Sequence, residues 1–364
     1  MDLPEYGIAD LQKGYQHGDL SCEGICAGFL ARIDAIDRDG PTLRAVIEVN
    51  PDALAIAAEL DRERRERGPR GPLHGVPVLI KDCIDTADRM MTTAGSLALE
   101  GNQAPRDAFL VRRLRRAGAV LLGKTNMSEW NAMRSSRPCS GWSSRGGQTR
   151  NPHVLDRSPL GSSSGSAVAV AANLCTVAIG VEVDGSIVRP ASANGIVGLK
   201  PTVGLVSRSG ILGLTPLQDT AGPMGRSVAD VTLLLTAMAG FDGDDPASGD
   251  VPWEGQAVDF SDVLDPSALR GARLGVAREC FSGHEGTTAV MEAAIACLRN
   301  LGAVIVDPVQ ASTLPLFGEL ERDLFLYGLK ASLNRYLAEH PGSRVGSLAE
   351  LIRFNEENAA RVMP

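Results

Sequence analysis

The feature that most limits how this chain can fold is a run of small residues that leads straight into an apolar one. Gly161-Ser162-Ser163-Ser164-Gly165-Ser166 is followed at once by Ala167-Val168-Ala169-Val170-Ala171-Ala172. A Gly/Ser run alone is ordinarily a flexible linker, but a linker does not open directly into a buried element. Residues 168–174 read as a buried helix, so the serine loop lies at a helix N-terminus, where N–H groups are unpaired and the potential is positive. Residues 176–183 read as a buried strand, and Asp184-Gly185-Ser186 as the sharp turn after it. Loop, helix, strand and turn make one compact unit whose return path can bring Ser162 towards Ser186.

The rest of the chain supplies a matching frame. Cys22, Ile25, Cys26, Phe29, Leu30, Ile33 and Ile36 have helical spacing, with Ser21 as N-cap. Further helices are expected over 52–67, 109–117, 228–239 and 289–300. Strands are expected over 76–80, 119–122, 274–277 and 304–306. Gly118 closes the second of those helices, and the polar segment 242–253 reads as a surface linker. This alternation implies an α/β fold: a single domain, residues 1–364, with a mixed, mostly parallel central sheet covered by helices.

Composition narrows the function. The net charge of −8 argues against a nucleic-acid partner held by a basic surface. No apolar run is long enough to span a bilayer, and the acidic N-terminus has no signal-peptide character, so no membrane partner is expected. Seven cysteines lie scattered without a CxxC pair, which suits the cytoplasm and argues against a zinc site. Of 36 basic residues only five are lysines, so a lysine ending an apolar segment, as Lys81 does after 76–80, stands out.

Two motifs are decoys. Gly118 to Thr125 fits GxxxxGK[ST], yet the four middle residues, Ala119, Val120, Leu121 and Leu122, read as the strand itself rather than a phosphate-wrapping loop. Gly161 to Gly165 fits GxSxG, the nucleophile elbow of α/β-hydrolases, with Ser163 as nucleophile. That reading needs a strand directly before the motif and a histidine after it. Residues 151–159 are polar with two prolines, and the downstream histidines, His284 and His340, lie in turn-like settings.

A third arrangement is chemically coherent. A serine hydroxyl needs a base. Lys81 can be that base if burial lowers its pKa, and a second serine can pass the proton. Backbone N–H groups of Val183, Asp184 and Gly185 would stabilise an oxyanion.

At this point the sequence resembles the amidase signature family of serine amidases, in its bacterial peptide amidase branch. The resemblance rests on 161–167, on Asp184-Gly185-Ser186-Ile187 and on Pro190-Ala191-Ser192. Lys81-Asp82, 91–95, 123–126 and 198–202 match the flanking motifs. The branch is suggested by 128–130, 141–148, 218–220 and 351–355. The resemblance implies Ser186 as acylated nucleophile, Ser162 as bridging serine after a cis peptide bond, and Lys81 as base. The 24-residue separation of Ser162 and Ser186 is the family's usual one and selects Ser162 over its neighbours. It implies hydrolysis of carboxamides, such as the C-terminal amides of peptides, to acid and ammonia. No cofactor and no metal is implied. Ser163 and Arg189 are candidate substrate contacts, and a homodimer is the assembly left open.

Four positions depart from the family pattern. Val181 and Val183 replace threonines, Arg189 replaces a small residue, and Cys83 replaces an asparagine. A guanidinium at 189 would select an acidic substrate or depress activity. The signature core spans about 72–240, and family members continue past the end of this chain. A truncated, catalytically impaired homologue that at most binds is therefore one alternative. The amidase subunit of a tRNA amidotransferase is the other.

Overall fold

Val78, Leu79 and Ile80 cannot be left in water, and all three are wholly buried in the strand Pro77–Lys81. In the computed structural model, which describes residues 3–137, 139–251, 259–310 and 318–362, this strand lies inside a six-stranded sheet. Across the sheet the order is Val46–Val49, Val120–Thr125, Pro77–Lys81, Val177–Glu182, Thr220–Gly225 and Val197–Gly198. Pro77–Lys81 runs parallel to both neighbours, with Val78 opposite Leu121 on one side and Val177 on the other. The outer pairings are antiparallel. The sheet is thus mixed, with its parallel pairs at the apolar centre, where β-strands buried on both faces belong.

Helices Ala53–Arg67, Ser164–Ala171 and Val228–Met238 pack on the sheet. Ser21 and Ser227 cap their helices by accepting from Gly24 and Asp230 N–H groups, and Gly118 takes a φ of +82° after Phe109–Arg116. The helix Ser164–Ala171 is buried on all sides. Its small residues let it approach strand backbone directly: a Cβ on Gly165 would strike the carbonyl of Ala45 and both backbone polar atoms of Asn126.

The GxxxxGK[ST] letters are strand. Val120–Thr125 carries Gly123, Lys124 and Thr125 inside it, fully buried, so no phosphate loop exists there. The expected linker is corrected in part. Asp242 and Asp245 are buried, taking Ser207 Oγ (2.5 Å) and the Arg208 side chain. Residues 252 and 253 of that segment lie outside the described residues.

The chain divides into two compact units, 1–261 with 325–364, and 262–324. The larger carries the six-stranded sheet. The smaller pairs Arg273–Gly275 with Val304–Val306 in parallel, with Glu285–Asn300 as the crossover helix. No described helix is long and apolar enough to cross a membrane.

Candidate active site

Lys81 is the last residue of the central strand and has no solvent exposure. Its Nζ donates to Ser162 Oγ at 2.7 Å and to the Val181 carbonyl at 3.0 Å. Burial pushes the ammonium down to about 8, against Cys83, Asp219 and Glu182, which favour the charged form. Cys83 is itself buried, and burial pushes its thiol up to about 11.

Ser162 follows a cis Gly161–Ser162 peptide bond. Its carbonyl accepts the Ser128 N–H at 3.0 Å, and its hydroxyl donates to Asn131 Oδ1 at 3.4 Å. Ser163 is wholly buried, and its hydroxyl donates to the Val181 carbonyl (3.1 Å) and accepts the Val181 N–H (3.2 Å). Ser163 is therefore a brace between the serine loop and the strand Val177–Glu182. Its hydroxyl, expected to touch substrate, is bonded to the backbone of Val181 in this structure. The hydrolase-elbow reading falls with it. His284 caps the helix Glu285–Asn300, and His340 is engaged by Tyr336 and Asp85.

Ser186 lies in the turn after that strand and is partly exposed. Its carbonyl accepts the Ser163 N–H at 3.1 Å, which ties the two serine segments together through backbone. Its hydroxyl makes no hydrogen bond among the described residues.

Glu182 shapes the turn, and sequence reasoning missed it. Its carboxylate accepts the N–H groups of Gly185 (3.0 Å), Ile187 (2.6 Å) and Val188 (3.0 Å). The Gly185 N–H, one of the three expected oxyanion donors, is thus engaged by Glu182 in this structure. The N–H groups of Val183 and Asp184 have no acceptor among the described residues, so the other two expected donors remain available. An acid three residues before a turn glycine was the available signal for Glu182.

Asn131 and Ser128 were also missed. Trp130, Asn131 and Ala132 all take positive φ, from 55° to 71°. Asn tolerates that conformation, but Trp and Ala rarely adopt it, so nothing in the side chains of Trp130 and Ala132 announces the turn. Ser128 also lines a cavity of about 430 Å³ with Glu129, Arg134, Trp142, Asn355 and Val362. There the Arg134 guanidinium pairs with Glu129 (2.5 Å) and lies 4.9 Å from the Trp142 ring centre. Burial raises the Glu129 pKa. Arg189 is exposed at the start of the helix Val188–Ala193. Among the described residues, no cluster of three or more His, Cys, Asp or Glu could hold a metal ion.

Known proteins show the same arrangement of chain. The native peptide amidase of Stenotrophomonas maltophilia superposes with a TM-score of 0.95 at 54% identity, over 99% of this chain and 73% of that one. A probable amidase of Arabidopsis thaliana is 41% identical over 98% of this chain and 69% of its own length. A glutamyl-tRNA(Gln) amidotransferase subunit from Halorhodospira halophila is also 41% identical, over 93% of this chain and 66% of that one. The chain thus spans about two thirds to three quarters of these relatives. A family model described as amidase matches residues 25–360. With that match covering most of its length, the chain belongs to the amidase family.

Proposed function

We propose that this protein hydrolyses carboxamides to acid and ammonia through an acyl-enzyme on Ser186. The observation that carries the reading is a fully buried lysine, depressed to about 8, with its Nζ 2.7 Å from the hydroxyl of Ser162. Neutral Lys81 takes the proton of Ser162, and Ser162 takes that of Ser186 as its oxygen attacks the carbonyl carbon. The Val183 and Asp184 N–H groups receive the oxyanion. The proton returns through Ser162 to the nitrogen as the C–N bond breaks, and ammonia leaves. Water then attacks the ester by the same relay, releasing the acid and restoring Ser186.

C-terminal amides of peptides are the proposed substrates, supported by the 54% identity to a peptide amidase. Seven free thiols fit a cytoplasmic setting. The test is ammonia release from a C-terminally amidated peptide by the wild-type chain and by Ser186→Ala, Ser162→Ala and His284→Ala. The two relay serines should each cost roughly a thousandfold or more, and His284→Ala should cost little. Release that survives Ser186→Ala would end this reading.

A second reading is that of a component of a tRNA amidotransferase, favoured by the 41% identity to one such protein. It predicts negligible release until partner chains are added.

A further inference from the structure

Arg189 is the second residue of the helix Val188–Ala193. Side chains in a helix's first turn lean back towards its N-terminus, so this one leans over the turn that carries Ser186. Two observations agree with that direction. The Arg189 N–H donates to the Gly185 carbonyl at 2.9 Å. The Cγ and Cδ of Arg189 fill the space that a side chain at 185 would need. Gly185 is therefore required twice, for its φ of +75° and for the arginine stem against it.

The guanidinium at the end of that stem is exposed, with no ion pair or hydrogen bond among the described residues. Other arginines of this unit are spoken for: Arg134 by Glu129, Arg145 by Glu48, Arg208 by Asp245. The acids beside Arg189 do not neutralise it. Glu182 gives its oxygens to backbone N–H groups. Asp184 is exposed and forms no ion pair among the described residues.

We propose that Arg189 makes this protein select amides that carry a carboxylate close to the scissile carbonyl, such as an amidated peptide ending in an acidic residue. The inference rests on Ser186 being the acylated residue. A substrate acyl group on Ser186 lies beside the turn that the guanidinium overhangs. A guanidinium is suited to holding a carboxylate.

The experiment compares two amidated dipeptides, one ending in glutamate and one in the similarly sized methionine, with wild type, Arg189→Lys and Arg189→Gln. The glutamate-to-methionine ratio of kcat/KM should fall about two- to fivefold in Arg189→Gln, the upper part of the range of a solvent-accessible ion pair. Arg189→Lys should keep part of it, and the wild-type preference should shrink as salt is raised. A ratio equal in wild type and Arg189→Gln overturns the inference. If neither peptide is hydrolysed, the amidase reading fails first. Arg189 is then judged by melting temperature: a rise with the glutamate peptide that Arg189→Gln loses supports it, and equal or absent rises in both proteins overturn it.

Discussion

Lys81 and Lys124 lie on adjacent parallel strands, both wholly buried, and their partners divide their roles. Lys124 stands opposite Ile80, one residue before Lys81. Burial pulls both ammonium groups below the usual lysine range. Lys124 donates to the Ile84 carbonyl (2.6 Å) and Thr92 Oγ1 (2.9 Å), and Asp82, Asp85, Asp88 and Glu48 favour its charged form. It ties the loop after the central strand to the sheet. Both lysines face a hydroxyl, but Thr92 Oγ1 donates back to the Ile84 carbonyl that Lys124 already holds (3.3 Å), whereas the Ser162 hydroxyl that Lys81 faces lies in the loop tied to the Ser186 segment. Burial makes a lysine easier to neutralise, but only a hydroxyl that leads on to the proposed nucleophile makes it a useful base.

The comparison breaks most visibly at Lys81. Lys81→Met keeps the volume and removes the base, so kcat/KM for ammonia release should fall roughly a thousandfold or more, and it also leaves the Ser162 hydroxyl and Val181 carbonyl without their lysine donor. Lys124→Met should cost stability without costing activity. It leaves a buried carbonyl and hydroxyl without their donor, costing about 1–3 kcal/mol in urea unfolding, while the folded fraction stays active. Equal loss of activity per folded molecule from both substitutions would erase the distinction.

Two smaller effects sharpen it. Asp219 helps keep Lys81 charged, so Asp219→Asn should move the acid limb of the pH–rate profile down by about half a unit. The other effect concerns Asp85, one of the acids around Lys124. Asp85 Oδ1 accepts Tyr336 OH (2.7 Å) and Oδ2 faces His340 Nε2 (3.1 Å), while His340 Nδ1 faces the Tyr336 carbonyl (2.7 Å). Both ring nitrogens meet acceptors, which favours the doubly protonated ring. Burial works against that charge, yet the bond to Asp85, its carboxylate, the Tyr336 carbonyl and Glu339 leave the His340 pKa raised. A raised folded pKa gives stabilisation that is complete below the unfolded value and lost as pH rises through the folded one. The melting-temperature gap between wild type and His340→Gln should therefore be wider at pH 6 than at pH 9, by about 1 kcal/mol of stability. A gap independent of pH would show a neutral ring.

The parts of this architecture that could be read from sequence are those whose cause is local. The strands Pro77–Lys81, Val120–Thr125 and Val177–Glu182 announce themselves by unbroken apolar runs. Thr220–Gly225 does not. Thr-Ala-Gly-Pro-Met-Gly looks like a turn, yet it is a fully buried strand. Its glycines serve close backbone approach: a Cβ on Gly222 would strike the Leu199 carbonyl. The same limit applies at the site. Lys81 stood out as a rare lysine ending an apolar run and the Gly/Ser loop and Asp-Gly-Ser turn pointed to the two serine segments, while the family resemblance selected Ser162 and Ser186 within them. Which hydroxyls and N–H groups were already occupied depends on partners the spacing does not show: Val181 for Ser163 and Glu182 for Gly185. Asp242 and Asp245 looked like linker residues because Ser207 and Arg208, which hold them, lie 35 and 37 positions away.

The most direct test of Lys81 as a neutral base is the pH dependence of kcat/KM for ammonia release from an amidated peptide, for wild type and Lys81→Ala. The account predicts a one-proton rise with a midpoint near 8 in the wild type and a flat residual rate in the variant. A wild-type rate that ignores pH through that range, or a limb that persists without Lys81, would contradict it.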